Sequence, residues 1–231
     1  MQIRTLVGLV IASASIVWAG VLWVGGTELG WALLKPYGIV VSVVGLLALT
    51  FEAVLWRLPI IRGVLVKRPS LAGTWRATLE SNFKQPDGSQ TVKTVFVVIT
   101  QTLTSISVRM FTDKAHSRSL AESVRPATSD SLFELSITYQ SIPDIDHRLS
   151  IGGGAIHFGA LLIPNIPHSP KRISGHYWTD RRTEGKLTLE ERRPQLASSF
   201  REALQLFSTP PMSWLGGLLK LVGVGARSED R

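Results

Sequence analysis

The chain contains no cysteine, which excludes a disulfide scaffold, a thiol nucleophile and thiolate-bound zinc. Charge is also scarce. Asp, Glu, Lys and Arg make up 18% of the 231 residues, against roughly 25% in ordinary soluble domains, and the mean hydropathy is +0.19. That balance points to a membrane-bound part. In residues 1–56 Arg4 and Lys35 cancel Glu28 and Glu52, so the formal net charge of +8 belongs wholly to residues 57–231. An apolar, neutral head is thus followed by a basic, water-soluble body long enough for one globular domain.

Catalytic motifs are missing as well. His116, His147, His157, His168 and His176 lie in no metal-ligand spacing, Gly152-Gly153-Gly154 lacks the Lys-Ser/Thr of a phosphate loop, and no Gly-x-Ser-x-Gly elbow occurs. His157, Asp180 and some serine are triad residue types, but these types occur in any sequence. The sequence therefore reads as that of a non-enzyme with no metal and no cofactor.

Leu6 to Val24 is uncharged and, as a helix at about 1.5 Å per residue, spans roughly 28 Å, the thickness of a bilayer core. Pro36 to Trp56 is a second run, broken only by Glu52 near its end, where a carboxylate reaches the headgroups. Gly25 to Gly30 is a hairpin connection. Arg57, Arg62, Lys67 and Arg68 follow the second run, whereas the loop holds only Glu28 and Lys35. Basic residues stay inside, so both termini of this two-span protein are expected in the cytoplasm. A competing reading makes residues 1–20 a cleaved signal peptide; the second span would still keep the body cytoplasmic. Gly8, Ala12, Ser15 and Ala19, and Gly38, Ser42 and Gly45 with Glu52, form small-residue stripes that pack the two helices of one hairpin or hairpins of different protomers.

From Gly73 the pattern changes to short alternating runs rich in Thr, Val, Ile and aromatics, the mark of an antiparallel sandwich or barrel. The runs are Gly73–Phe83, Thr91–Leu103, Ser105–Thr112, Ser117–Val124, Leu132–Gln140, Ala155–Ile163, Arg172–Thr179 and Gly185–Glu191. Turn signals sit at Pro86-Asp87-Gly88-Ser89, Pro143-Asp144 and Pro164-Asn165-Ile166-Pro167. Trp75 and Trp178 read as core. Alternation separates two faces in each strand without saying which one is inside. After Pro194, Leu196, Phe200, Leu204 and Phe207 recur at helical spacing and Pro210-Pro211 ends that amphipathic helix. Met212 to Val224 is apolar and too short to span; it suits either a membrane interface or a cover over a barrel end. The expected organisation is a transmembrane hairpin (1–56), a juxtamembrane linker (57–72), a β domain (73–193) and a C-terminal extension (194–231).

Arg76, Arg109, Arg118, Arg125, Arg172, Arg181 and Arg182 make the β domain fit a phosphate-bearing partner, and Phe111, Tyr139, Tyr177 and Trp178 could stack on bases. No basic helix suggests long nucleic acid. Gly73-Thr74-Trp75, the run ending Val97-Val98-Ile99-Thr100-Gln101, and above all Gly175-His176-Tyr177-Trp178-Thr179-Asp180-Arg181-Arg182-Thr183-Glu184-Gly185, preceded by two spans, resemble the two-span effectors associated with CD-NTases in bacterial cyclic-oligonucleotide anti-phage (CBASS) systems. The resemblance implies a membrane-anchored, all-β fold with a small eight-stranded antiparallel β-barrel. It implies that the barrel binds a cyclic dinucleotide made by a partner nucleotidyltransferase, that the protein then forms a homo-oligomer, and that the spans disrupt the inner membrane. A membrane-tethered receptor or scaffold without damaging activity is the alternative. Such a ligand requires cationic and hydroxyl donors, aromatic shelves and an amide for base edges. Arg76, Thr78, Gln101, Ser107, Arg109, Tyr139, Tyr177 and Thr179 supply those types, and collectively form the expected ligand site.

Overall fold

The structure is a computed structural model and describes residues 3–24, 34–58, 61, 68–84, 88–127, 132–149 and 154–208. Two helices, α1 (Ile3–Val24) and α2 (Leu34–Ala53), precede eight strands: β1 (Gly73–Lys84), β2 (Gln90–Gln101), β3 (Ile106–Phe111), β4 (Ala115–Pro126), β5 (Phe133–Pro143), β6 (His157–Ile166), β7 (Ile173–Thr179) and β8 (Glu184–Arg193). Each strand pairs antiparallel with the next and β8 returns to β1, which closes the sheet into a barrel without free edges. All eight alternating runs are strands, with ends shifted by a few residues.

Two turn signals act differently from the sequence expectation. Pro143-Asp144 leads into a one-turn helix, α3 (Ile145–Leu149), which interrupts the all-β order. Pro164-Asn165 is not a turn but a bulge within β6: Phe133 pairs with Ile166 and Leu135 with Ile163, leaving an extra residue on β6, and Asn165 takes a φ of 55°. A bulge accommodates a proline that cannot donate to the ladder.

The closed barrel settles the faces. Trp75, Ala77 and Leu79 of β1 point inward with Val95, Val97 and Ile99 of β2, and meet Leu135, Ile137, Leu161, Ile163, Leu187 and Leu189 across the interior. Each fully buried side chain of this size contributes about 1.5–3 kcal/mol. Trp75 anchors one end, its indole N–H donating to the Leu71 carbonyl at 2.8 Å. Gly73 beside it has a φ of 133°, and a Cβ there would stand 2.4 Å from the Arg193 carbonyl oxygen, so the β1–β8 seam requires glycine at this point. Trp178 departs from expectation: in phase with His176, it projects outward and is 47% exposed.

The run Val95 to Ile99 is buried on both faces because a further helix covers the outside of β2 and β3. This helix, α4 (Phe200–Ser208), starts where the Ser199 hydroxyl accepts the Glu202 N–H at 3.2 Å, an N-cap contact. Phe200, Ala203 and Phe207 pack on Phe96, Val98 and Phe111, with the Phe200 and Phe207 rings centred 5.3 and 5.5 Å from that of Phe96. The expected apolar stripe is rotated, since Leu204 is 50% exposed and Leu196 is also exposed. Residues 209–231, including the Met212–Val224 segment, lie outside the described residues.

Among the described residues, no helix is long and apolar enough to cross a membrane. α1 and α2 contact one another, yet a Cβ built at Gly8 or Gly45 would meet no described atom within 4 Å. Glu52 also differs from expectation. It is buried, 4% exposed, and its Oε1 accepts from the Thr102 hydroxyl (2.7 Å), the Thr104 hydroxyl (2.6 Å) and the Thr104 N–H (3.0 Å). Its partner is the β2–β3 hairpin, not the lipid headgroup region.

Candidate functional site: the mouth of the barrel

The barrel is plugged at one end and open at the other. At the plugged end Gln101 accepts the Leu71 N–H through Oε1 and donates to the Pro69 carbonyl through Nε2, both at 2.8 Å. The open end leads into a cavity of about 270 Å³, near the lower bound of roughly 300 Å³ typical of small-molecule sites. Its depth is apolar, formed by Val97, Val108, Ile137, Leu161 and Leu187. Nearer the mouth come hydroxyls, Ser81, Thr91, Thr112, Ser117, Ser141, Thr179 and Thr183, and two aromatic shelves, Tyr139 and Tyr177. Lys93 and His157 supply the basic groups from the inward phase. Arg118 only borders the rim, since it stands opposite Arg109 on the outward face and donates to the Gln140 Oε1. No carboxylate lines the cavity among the described residues. The site is suited to a flat, partly apolar ligand with hydrogen-bonding edges and negative charge.

Several of these positions follow from local sequence. Gly159 faces Tyr139: a Cβ would lie 2.5 Å from the tyrosine Cζ and hydroxyl oxygen, so the missing side chain makes the room that the ring occupies. The β7–β8 hairpin turns through Asp180, Arg181 and Arg182. The Arg182 N–H donates to the Thr179 carbonyl at 3.1 Å, the Thr179 N–H donates to the Thr183 carbonyl at 2.9 Å, and Arg182 has a φ of 59°. That is the three-residue loop closed by a left-handed residue. It brings the Thr179 and Thr183 hydroxyls to 2.7 Å from one another at the mouth.

Burial pushes the Tyr139 phenol well above its usual pKa, with Tyr177 and Asp180 adding to the effect. Burial likewise raises Tyr177, opposed by a hydrogen bond from Ser81. Both phenols are therefore neutral donors at physiological pH. His157 is held below the ordinary 6.5, chiefly by burial and then by the Arg181 charge, while the Ala155 carbonyl and Asp180 pull the other way. It faces the cavity as a neutral imidazole at neutral pH. Asp180 is occupied elsewhere, accepting the Phe158 N–H at 3.1 Å.

Of the residues proposed from sequence, the fold brings Tyr139, Tyr177 and Thr179 together in the cavity wall. Gln101 shares their inward phase but sits at the plugged end, holding residues 69–71. Arg76, Thr78, Ser107 and Arg109 do not join them. Arg76 is paired with Glu191 at 2.7 Å and Thr78 donates to Glu190 at 3.3 Å, both outside β1. Ser107 and Arg109 are exposed on β3, the latter 5.7 Å from the Phe111 ring centre. Strand phase is the physical reason: these four alternate with Ala77, Val108 and their inward neighbours. Sequence reasoning missed Lys93, His157 and the hydroxyls other than that of Thr179. Fixing Trp75 as inward would have carried the phase along β1 to Ser81 and across the ladder to Thr91.

Residues 66–191, more than half of the chain, match the family model described as "Cap15, cyclic dinucleotide receptor domain". The stretch takes in β1 to β7 and most of β8. No curated protein matches the chain.

Proposed function

Because the chain belongs to the Cap15 family of cyclic dinucleotide receptor domains, we propose that its barrel binds a cyclic dinucleotide in the one-ended cavity and that the protein is a CBASS effector, a receptor and not an enzyme. The observation that carries this reading is the graded wall within the matched stretch: apolar depth, two neutral tyrosines, seven serine and threonine hydroxyls, the basic Lys93 and His157, and no acid among the described residues. A cyclic dinucleotide has two bases and two phosphodiesters. One base enters between Tyr139 and Tyr177, the serine and threonine hydroxyls take its edge, and the phosphates stay at the mouth beside Lys93 and His157. The cavity size supports this partial insertion over full enclosure. No cofactor is needed beyond this activating ligand.

The uncharged run Leu6–Val24 and the basic residues after the second run support anchoring of the head as two spans of the bacterial inner membrane, with both termini cytoplasmic. In this reading nucleotide binding drives homo-oligomerisation and the spans disrupt the membrane. Calorimetric titration of the detergent-solubilised chain with cyclic di-GMP, cyclic di-AMP and cyclic GMP-AMP tests the receptor reading. Saturable binding of at least one is expected; no heat from a folded sample across the panel overturns it. Nucleotide-dependent dye release from vesicles tests the second step.

A further inference from the structure

The most heavily bonded contact outside the barrel is at its plugged end, where α2 finishes. Glu52 Oε1 accepts three hydrogen bonds from Thr102 and Thr104, and the Glu52 carbonyl accepts the Leu103 N–H at 3.1 Å. Five residues on, the Arg57 guanidinium donates to the Gln101 carbonyl, and beyond it Arg68 donates to the Leu103 carbonyl. Every residue from Gln101 to Thr104 is thus gripped from the helical side. Glu52 is nine-tenths buried, as is Trp56. Yet Glu52 Oε2, Trp56 Nε1 and Arg57 Nε lack hydrogen-bond partners among the described residues. Three buried polar atoms without partners at one joint are unusual in a finished interface and leave that joint less fully satisfied than the rest of the fold.

The gripped hairpin joins two strands that line the cavity. β2 contributes Lys93 and Val97, and β3 contributes Val108 and Met110. Val97 stands opposite Met110, Ile99 opposite Val108 and Gln101 opposite Ile106, so one short ladder leads from the cavity to the hairpin. A barrel wall moves in concert along such a ladder because its bonds and packing resist local change. We propose that Glu52 is a positioning residue that transmits nucleotide occupancy of the cavity, through the β2–β3 hairpin, to α2. The inference rests on the reading of the cavity as the cyclic dinucleotide site. It requires that the nucleotide favour one of two arrangements of this joint.

The test uses the full chain in vesicles of phosphatidylethanolamine and phosphatidylglycerol, with the three nucleotides named above as probes. Three readouts are taken: hydrogen exchange of the Leu103 and Thr104 amides without nucleotide, nucleotide affinity, and nucleotide-triggered dye release. In Glu52→Leu the Thr104 amide, which loses its carboxylate acceptor, is expected to exchange at least about tenfold faster than in the wild type, while the Leu103 amide keeps the backbone carbonyl at position 52 as its acceptor. Affinity is expected within about twofold, and dye release to fall at least about tenfold. Glu52→Gln, whose amide oxygen still accepts from Thr104, is expected to restore part of the release, and Thr104→Val to resemble Glu52→Leu. Wild-type release from Glu52→Leu, release without nucleotide, or unchanged Thr104 amide exchange overturns the transmitting role alone. A wild-type chain that binds none of the nucleotides overturns the receptor reading and this inference with it.

Discussion

The sharpest consequence of the barrel's phase concerns two basic residues one might expect to act alike. Lys93 of β2 lines the cavity mouth, whereas Arg109 of β3 projects from the opposite face. A hydrogen bond from a charged group to a phosphate is worth about 1.5–3 kcal/mol. Lys93 is exposed at the rim, so solvent screening puts it at the low end of that range. Lys93→Ala should then weaken nucleotide binding about tenfold, since about 1.4 kcal/mol corresponds to a factor of ten. Arg109→Ala should leave affinity within about twofold, losing at most the ~0.5–1 kcal/mol of its contact with Phe111 from stability. Titration calorimetry of both variants at one fixed salt concentration measures the difference. Equal losses would mean that affinity follows overall positive charge, and a loss confined to Arg109→Ala would place the ligand outside the barrel; either refutes the reasoning.

Other expectations follow from single contacts. Gly159→Ala drives a methyl against the Tyr139 ring; overpacking of this kind costs about 1–3 kcal/mol, and both the denaturation midpoint and nucleotide affinity should fall. Since the folded pKa of His157 lies below its unfolded value of 6.5, the unfolded chain binds the extra proton first. Its contribution to stability is complete above about 6.5 and is lost as pH falls toward the folded pKa. Thermal melts should show that acid-side loss reduced in His157→Gln. Phe207→Ala removes a half-buried ring stacked on Phe96 and should cost about 1–3 kcal/mol by urea denaturation, below the full 3–5 kcal/mol of a buried Phe. Ending the chain at Pro194 should cost more, because Phe96, Val98 and Phe111 would lose their cover. Reporter fusions after Arg68 are expected to read cytoplasm and at Thr27 periplasm, and the reverse pattern would overturn the topology.

The barrel was legible because its alternation is strong: β-branched residues at period two mark the strands, and neighbours in sequence pair in space. Harder to read was anything decided by which face closes inward. Arg76, Thr78, Ser107 and Arg109 have the chemistry of a phosphate site but stand in the outward phase, and no local signal reports phase until the ring is closed. Tyr139, Tyr177 and Thr179 have both the chemistry and the inward phase. Gln101 has the inward phase but lies at the plugged end, since distance along the barrel axis depends on strand stagger that composition does not reveal. Glu52 looked like a carboxylate ending a span; its true partners are fifty residues away in the β2–β3 hairpin. Trp178 shows the converse error, a large ring assigned to the core by type but placed outside by its neighbour Tyr177.

The location of the ligand is the central claim, and a crystal structure of the chain with the cyclic dinucleotide selected by calorimetry tests it most directly. The account predicts one base between Tyr139 and Tyr177, its edge on the Thr179 and Ser141 hydroxyls, and a phosphate within hydrogen-bond reach of Lys93. Density for the nucleotide on the outer face beside Arg76 or Arg109, or at the plugged end beside Gln101, would contradict it.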